Sequence, residues 1–393
     1  LRALRNSETG EWLPAAGNLV VRCDSSTVLN PGDRAVVRGK IYPFTARHGG
    51  YGRLMTRRGY VGTLYLNRSS LLLRDTLHRE LPPKHLSLFL HERAVARLDR
   101  LSLAPDEQAL CNAMTAGDRR SLSPALRAAY SRSGTSHLLA VSGLHVGIVF
   151  LLANLLLWWL PLFRHGHILR NIAVILLIWL YAATTGFPPS VVRAALMFSV
   201  LQFALASSSE YVGMNTLAGV AFVMLLFHPD YLFDISFQLS FIAVAGIIAW
   251  GLPLCRLLRT RRKSIDMLTA TLAIGFSASA ATAPLISHTF GQISVVGLAL
   301  NPVVILLSYV VVGSCTLWLV IPGTALAPLF SVVAGFAARA QNELIRAAAA
   351  LPAAALDIRL TTTQCWSVYG LFIFATLLLW SAERKKSVSS LPE

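Results

Sequence analysis

Charge is scarce in this sequence. Asp, Glu, Lys and Arg make up 14% of its 393 residues, against 54% hydrophobic residues. A soluble domain carries about a quarter charged residues, so the composition excludes an ordinary soluble protein and implies a polytopic membrane protein. Cysteine is also scarce. Cys23, Cys111, Cys255, Cys315 and Cys365 show no CxxC or zinc-ligand spacing, which excludes the usual zinc and CxxC redox sites. Cys23 and Cys111 share the first half and would be able to pair in an extracytoplasmic domain. Two unrelated buried thiols are the preferred reading. No GxxxxGK[ST] loop is present, so nothing in the sequence couples to ATP. There is no initiator Met, signal peptide or early hydrophobic segment. The opening Leu1-Arg2-Ala3-Leu4 reads like the inside of a strand, and the expectation is a fragment whose upstream residues are missing.

The charge that is present is unevenly placed. Residues 1–136 hold 21 Lys+Arg against 11 Asp+Glu, a net of +10, and residues 137–393 hold 14 against 8, a net of +6. The denser basic excess suits a polyanion such as nucleic acid or anionic lipid, or else a solvated basic face. Within residues 1–80, NLVVRC at 18–23, RAVVRGKI at 34–41, YVGTLYL at 60–66 and 70–74 read as short strands separated by turns. That pattern predicts a small OB-like β-barrel rather than helices. Arg34, Arg38, Lys40, Arg53, Arg57 and Arg58 lie among Tyr42, Phe44, Tyr51 and Tyr60. Cations tracking phosphate beside aromatic faces that stack bases are how such barrels hold single strands. The candidate DNA-binding residues are therefore Arg34, Arg38, Lys40, Tyr42, Arg53, Arg57, Arg58 and Tyr60. Residues 81–136 read as amphipathic connector helices near a membrane surface.

From residue 137 to 381 hydrophobic segments follow in succession. Spans are expected near 138–160, 167–185, 188–206, 211–227, 233–253, 267–288, 293–321 and 366–381, about eight in all. The Ala-rich segment 324–351 carries Arg339, Gln341, Asn342, Glu343 and Arg346 and is expected at the interface, with its crossing left open. Residues 382–393 form a polar tail. The loop 255–266 is rich in Arg and Lys, which places it in the cytoplasm. Counting back through the spans puts residues 1–136 outside.

Four sites break the apolar pattern. The first is GTSHLLAVSGLHVGIV at 134–149, where His137, Ser142 and His145 enter a span with Gly143 and Gly147 four apart. Such glycines let another helix approach closely, while the polar groups need partners or a wet path. The second is GFPPSVVRA at 186–194, with Arg193 within a turn of a new helix. The third is DISFQLS at 234–240, with Gln238 inside a span. The fourth is ALNP at 299–302, where Pro302 should kink or break its helix beside Asn301. Between the last two, the small and hydroxylated residues of 275–287 fit either close packing or a wet lining.

Taken together and in order, these stretches resemble the ComEC-type competence channel family. The resemblance is carried by ALCNAMTAGDRRSLSPALRAAYSRSGTSHLLAVSGLHVGIVF at 109–150, GFPPSVVRAALMF at 186–198, HPDYLFDISFQLSFIAVAGI at 228–247 and SVVGLALNPVVI at 294–305. Upstream, PGDRAVVRGKI at 31–41 and YGRLMTRRGYVGTLYL at 51–66 resemble the family's OB-like domain. The resemblance implies passage of single-stranded DNA across a bacterial inner membrane during natural transformation, with no cofactor. Its motif positions fall on His137, Ser142, Gly143, His145, Arg193, Gln238, Asn301 and Pro302. The partners it implies are single-stranded DNA, the bilayer, a periplasmic or surface DNA receptor, and a cytoplasmic motor or single-strand-binding protein. Two family parts are not seen: the amino-terminal spans and a metallo-β-lactamase-like domain. His165-Gly166-His167 is not followed by the Asp-His that such a metal cluster needs. Either the sequence is truncated, or strand degradation belongs to another protein. The rival readings are a membrane-embedded hydrolase using Ser142 with His145 or His137, and a small-solute permease built on broken helices.

Overall fold

A computed structural model of the chain describes residues 3–5, 10–24, 33–44, 52, 55–56, 59–75, 83–206, 213–294, 296–321, 326–351 and 354–389. Two compact units emerge, one formed by residues 1–89 with 228–234 and the other by 90–227 with 235–393.

The first unit is built of short strands: β1 (Ala3–Arg5), β2 (Trp12–Pro14), β3 (Asn18–Cys23), β4 (Arg34–Val37), β5 (Ile41–Pro43), β6 (Tyr60–Leu66) and β7 (Leu71–Asp75). They form three small sheets. β1 pairs with β2, β4 pairs with β7, and β6 lies between β3 and β5. β3 runs parallel to β6 and β5 antiparallel to it. The strands expected at 18–23, 60–66 and 70–74 appear as β3, β6 and β7, whereas the strand expected over 34–41 is divided into β4 and β5, and among the described residues the strands do not close into a barrel. Among the described residues β4 and β7 pair only with each other, with a register shift between Val36 and Val37, and an Arg74–Asp33 ion pair of 2.6 Å adds to the pairing.

The second unit is helical. Connector helices α1 (Pro83–Leu98, whose first turns belong to the other unit), α2 (Pro105–Thr115) and α3 (Pro124–Arg132) precede α4 (Gly143–Leu156), α5 (Gly166–Thr184), α6 (Pro189–Ala206) and α7 (Gly213–Phe227). Then come α8 (Ile235–Gly246), α9 (Lys263–Phe290), strand β8 (Ile293–Ser294), α10 (Val296–Val320), α11 (Ala327–Ala349), strand β9 (Ala355–Leu356) and α12 (Thr362–Ser389). The connector helices start where their sequences direct. Pro105 opens α2 with Asp106 and Glu107 in its first turn, complementing the positive helix end. The Ser123 side chain accepts the Leu126 amide at 3.2 Å and so caps α3.

Among the described residues, five helices are long and apolar enough to cross a membrane: Gly143–Leu162, Gly166–Thr184, Ile235–Leu257, Ile265–Phe290 and Ala299–Val320. The chain is a multi-pass membrane protein. The predicted spans at 188–206 and 211–227 appear as the shorter apolar helices Pro189–Ala204 and Gly213–Phe227. The far end of the span expected near 366–381 runs past the last described side chain of α12. The expected break at Pro302 is not formed, and α10 runs unbroken from Val296 to Val320 with Pro302 inside it. One missing amide near a helix start removes only one ladder bond, and the neighbouring residues keep theirs. The residues before α10 are not helical as expected: Ile293–Ser294 pairs antiparallel with Ala355–Leu356.

The core joins connector and bundle. Leu98, Leu110, Met114, Leu126, Tyr130 and Leu138 pack with Val304, Val311, Val312, Cys315 and Ile345. Full burial of each large apolar side chain contributes about 1.5–3 kcal/mol relative to exposure in water. On the polar face of α11, Arg339 pairs with Glu107 at 2.7 Å, Arg346 pairs with Asp106, and Asn342 donates to the Asp106 carbonyl at 3.2 Å. That face therefore docks on the connector, while Leu329, Val332 and Phe336 point outward. The small residues of α9 serve close packing, because a Cβ on Gly246 of α8 would stand 2.5 Å from Ala281 and 3.0 Å from the Ser277 carbonyl.

Candidate functional site

The candidate site lies around the first turn of α4. Ser142 is the extended residue before the helix, and His145 is the third residue within it. The Ser142 amide donates to His145 Nδ1 at 2.9 Å, and Ser142 Oγ lies 3.3 Å from the same nitrogen. This is a capping box with histidine in the place usually taken by Glu or Gln. An accepting Nδ1 puts the ring proton on Nε2, which is buried and has no partner among the described residues. His145 itself is 0% exposed.

The opposite face of this turn meets α6. A Cβ on Gly143 would stand 2.9 Å from Arg193 Nη2, and one on Gly147 would stand 3.3 Å from the Phe198 ring. Phe150, one turn on, stacks on Phe198 with ring centroids 4.8 Å apart. The two glycines are therefore a landing strip for α6, and Gly143 makes room for a guanidinium.

Arg193 is 6% exposed. Its Nη1 donates to the Ser240 carbonyl on α8 at 2.6 Å, and its Cζ lies 5.7 Å from the Phe241 ring centroid. Among the described residues its buried Nε has no partner, and none of the ion pairs involves it. One buried cation thus ties α4, α6 and α8 together with donors left over. Its position follows from the sequence GFPP. Gly186 and Phe187 both take positive φ, 81° and 53°, the chain reverses, and α6 begins at Pro189. Ser190 Oγ then donates to the Val141 carbonyl at 2.9 Å, pinning the start of α6 beside the start of α4.

Of the other expected motif residues, Gln238 is half-buried on α8, two residues before Ser240. Asn301 and Pro302 are half-buried on α10, which shares the core with α4 through Val304 and Ile148. His137 is exposed in the turn Ser136–Leu139 between α3 and α4. Sequence reasoning missed the docking of that turn. Gly134 has φ 74°, and a Cβ there would stand 2.3 Å from Ser294 Cβ. It also missed Tyr130, which donates to Asn342 at 3.1 Å and accepts from Gln341 at 3.3 Å. Burial pushes the Tyr130 phenol above its ordinary pKa.

In the first unit, Lys40 and Tyr42 are brought together: Lys40 Nζ lies 5.9 Å from the Tyr42 ring. Arg34 is elsewhere, on β4 opposite Asp75. The Arg38 amide donates to the Ser70 carbonyl at 2.8 Å, and Tyr60 opens β6 opposite Asn18. Arg53, Arg57 and Arg58 lie outside the described residues. Cys23 and Cys111 are both free thiols, as expected, but Cys111 alone is buried: Cys23 ends an edge strand and is exposed.

These features define a helical membrane protein that holds a buried arginine inside its bundle with no ion pair among the described residues. The chain belongs to the Competence protein family, whose profile matches residues 114–385. It is 33% identical over 223 residues to "ComE operon protein 3" of Bacillus subtilis, covering 56% of this chain and 27% of that protein. It is 29% identical over 201 residues to an uncharacterized protein of Aquifex aeolicus, covering 51% of this chain and 45% of that one. The matches thus span less than half the length of these relatives. No solved structure matches the chain.

Proposed function

We propose that the chain is the conducting part of a channel that moves single-stranded DNA across the bacterial inner membrane during natural transformation. The observation that carries this reading is Arg193, a buried cation with unused donors in a bundle of the competence family. An arginine in such a place needs water, a partner or a polyanion, and a phosphodiester supplies charge and acceptors together. Residues 1–136 stand outside the membrane, where the basic, OB-like strand unit captures the strand before it enters. A surface or periplasmic DNA receptor hands the strand over, and a cytoplasmic motor or single-strand-binding protein supplies the pull.

The catalytic reading of Ser142 is not favoured. A base must be free to take the serine proton, and His145 Nδ1 already accepts the Ser142 amide at 2.9 Å. The test of the channel is uptake of labelled DNA by cells carrying the full gene with Arg193 or His145 replaced. Loss of uptake with the protein still in the membrane is the expected result. Normal uptake in both variants removes the conducting role assigned to this site.

A further inference from the structure

The three-stranded sheet of the first unit has two unlike faces. Alternation along β6 buries Gly62, Leu64 and Leu66 and leaves Val61 and Tyr65 exposed. Tyr65 is in register with Arg22 on β3. Tyr42 on β5 is in register with Thr63, so Tyr42 and Tyr65 are diagonal neighbours. Their rings meet edge to face with centroids 5.8 Å apart. Arg22 Cζ lies 5.8 Å from the Tyr65 ring, and Lys40 Nζ lies 5.9 Å from the Tyr42 ring. The surface therefore carries a row in the order cation, ring, ring, cation. Tyr42 is 49% exposed and Tyr65 55%. A shallow, open depression lies beside the row, lined by Arg22, Cys23, Asp24, Tyr65, Leu66 and Asn67.

Each half of this row suits a different part of one ligand. An apolar partner has no use for two flanking cations, and a bare phosphate has no use for two rings. A nucleic-acid strand with unpaired bases uses both, because its bases stack on aromatic faces while its phosphates meet the cations. A duplex keeps its base faces stacked on one another and presents only edges. We infer that Arg22, Tyr65, Tyr42 and Lys40 form a stacking platform for unpaired bases of single-stranded nucleic acid. This inference rests on the DNA-uptake reading and narrows it to where the strand is first held.

The test uses the full chain in detergent, with two fluorescent probes: an oligothymidylate and an abasic oligonucleotide of equal length. The unaltered protein should prefer the oligothymidylate. Tyr65→Ile keeps strand propensity and bulk but has no π face. Base–aromatic stacking is worth enough that its loss should weaken oligothymidylate binding roughly five-fold to a hundred-fold. Abasic binding should stay unchanged, and Tyr65→Phe should restore the preference. Arg22→Ala should weaken both probes alike. Equal affinity of the unaltered protein for the two probes overturns the platform while leaving capture through phosphates intact. So does a Tyr65→Ile variant that keeps the preference. Binding of neither probe at low salt overturns the platform and the capture role together.

Discussion

The Arg193 guanidinium occupies the space that a side chain on Gly143 would need, with Nη2 2.9 Å from where that Cβ would stand. The two residues are 50 apart in sequence, and each explains the other. Gly143→Ala should push the guanidinium off the Ser240 carbonyl. A hydrogen bond from a charged donor contributes about 1.5–3 kcal/mol. DNA uptake should therefore fall roughly tenfold to a hundredfold, with membrane levels of the protein unchanged. Unchanged uptake in Gly143→Ala would mean that the contact is only packing.

Arg193→Met separates stability from function. Taking a charge out of water is costly, and Arg193 forms none of the ion pairs found among the described residues, so an apolar side chain of similar volume removes a desolvation penalty that no counter-charge offsets. The unfolding midpoint in detergent should hold or rise while DNA uptake is lost. A large drop in midpoint with proportionate loss of uptake would make Arg193 a structural residue.

Ser142 and His145 should behave as a helix cap. Ser142→Ala keeps the amide bond to His145 Nδ1 and should cost about 0.5–2 kcal/mol, with uptake largely retained. His145→Gln restores the usual capping-box partner and should be milder than His145→Ala in thermal unfolding. Labelling of Ser142 by a serine-reactive probe would contradict this and revive the hydrolase.

Tyr130→Phe should destabilise the seam between connector and α11. Asn342 and Gln341 are both buried and both lose their phenol partner. Stranding buried polar groups costs about 1–3 kcal/mol each, which should appear as a lower unfolding midpoint. No change would mean that the phenol adds nothing to a seam already held by apolar packing and by the Arg339–Glu107, Arg346–Asp106 and Asn342–Asp106 contacts.

Asp118 gives the connector an acid sensitivity. Burial raises its pKa, but the Arg120 Nε at 2.9 Å, Nη2 at 2.9 Å and backbone amide at 3.0 Å more than offset this, so the carboxyl sits below its ordinary value. A lowered pKa in the folded state means that the stabilisation is full above the unfolded pKa and is lost as pH falls through the folded one. Arg120 is largely exposed, so salt should weaken the effect. Asp118→Asn should flatten the midpoint-versus-pH curve on the acid side, and an unchanged slope would refute the assignment.

Much of the bundle was legible in the sequence because hydrophobic length is a local property. The spans 138–160, 167–185, 233–253, 267–288 and 293–321 each reappear as a long apolar helix. The motif residues were singled out because polar groups are conspicuous in apolar runs. The strand unit was legible in its elements but not in its pairing. Arg22 and Tyr65 were passed over because alternation gives each strand's faces and not which strand lies beside it.

The sequence by itself determined that this chain crosses a membrane repeatedly and that its more densely basic part precedes its apolar part. Only the tertiary structure decided which interruptions meet. It set Gly143 against Arg193 and Arg193 against Ser240, paired His145 with Ser142 as a cap, and kept α10 helical across Pro302. The physical reason is range. Hydropathy, capping and turn preferences act within a few residues, whereas the placing of one buried guanidinium depends on three helices packing at once.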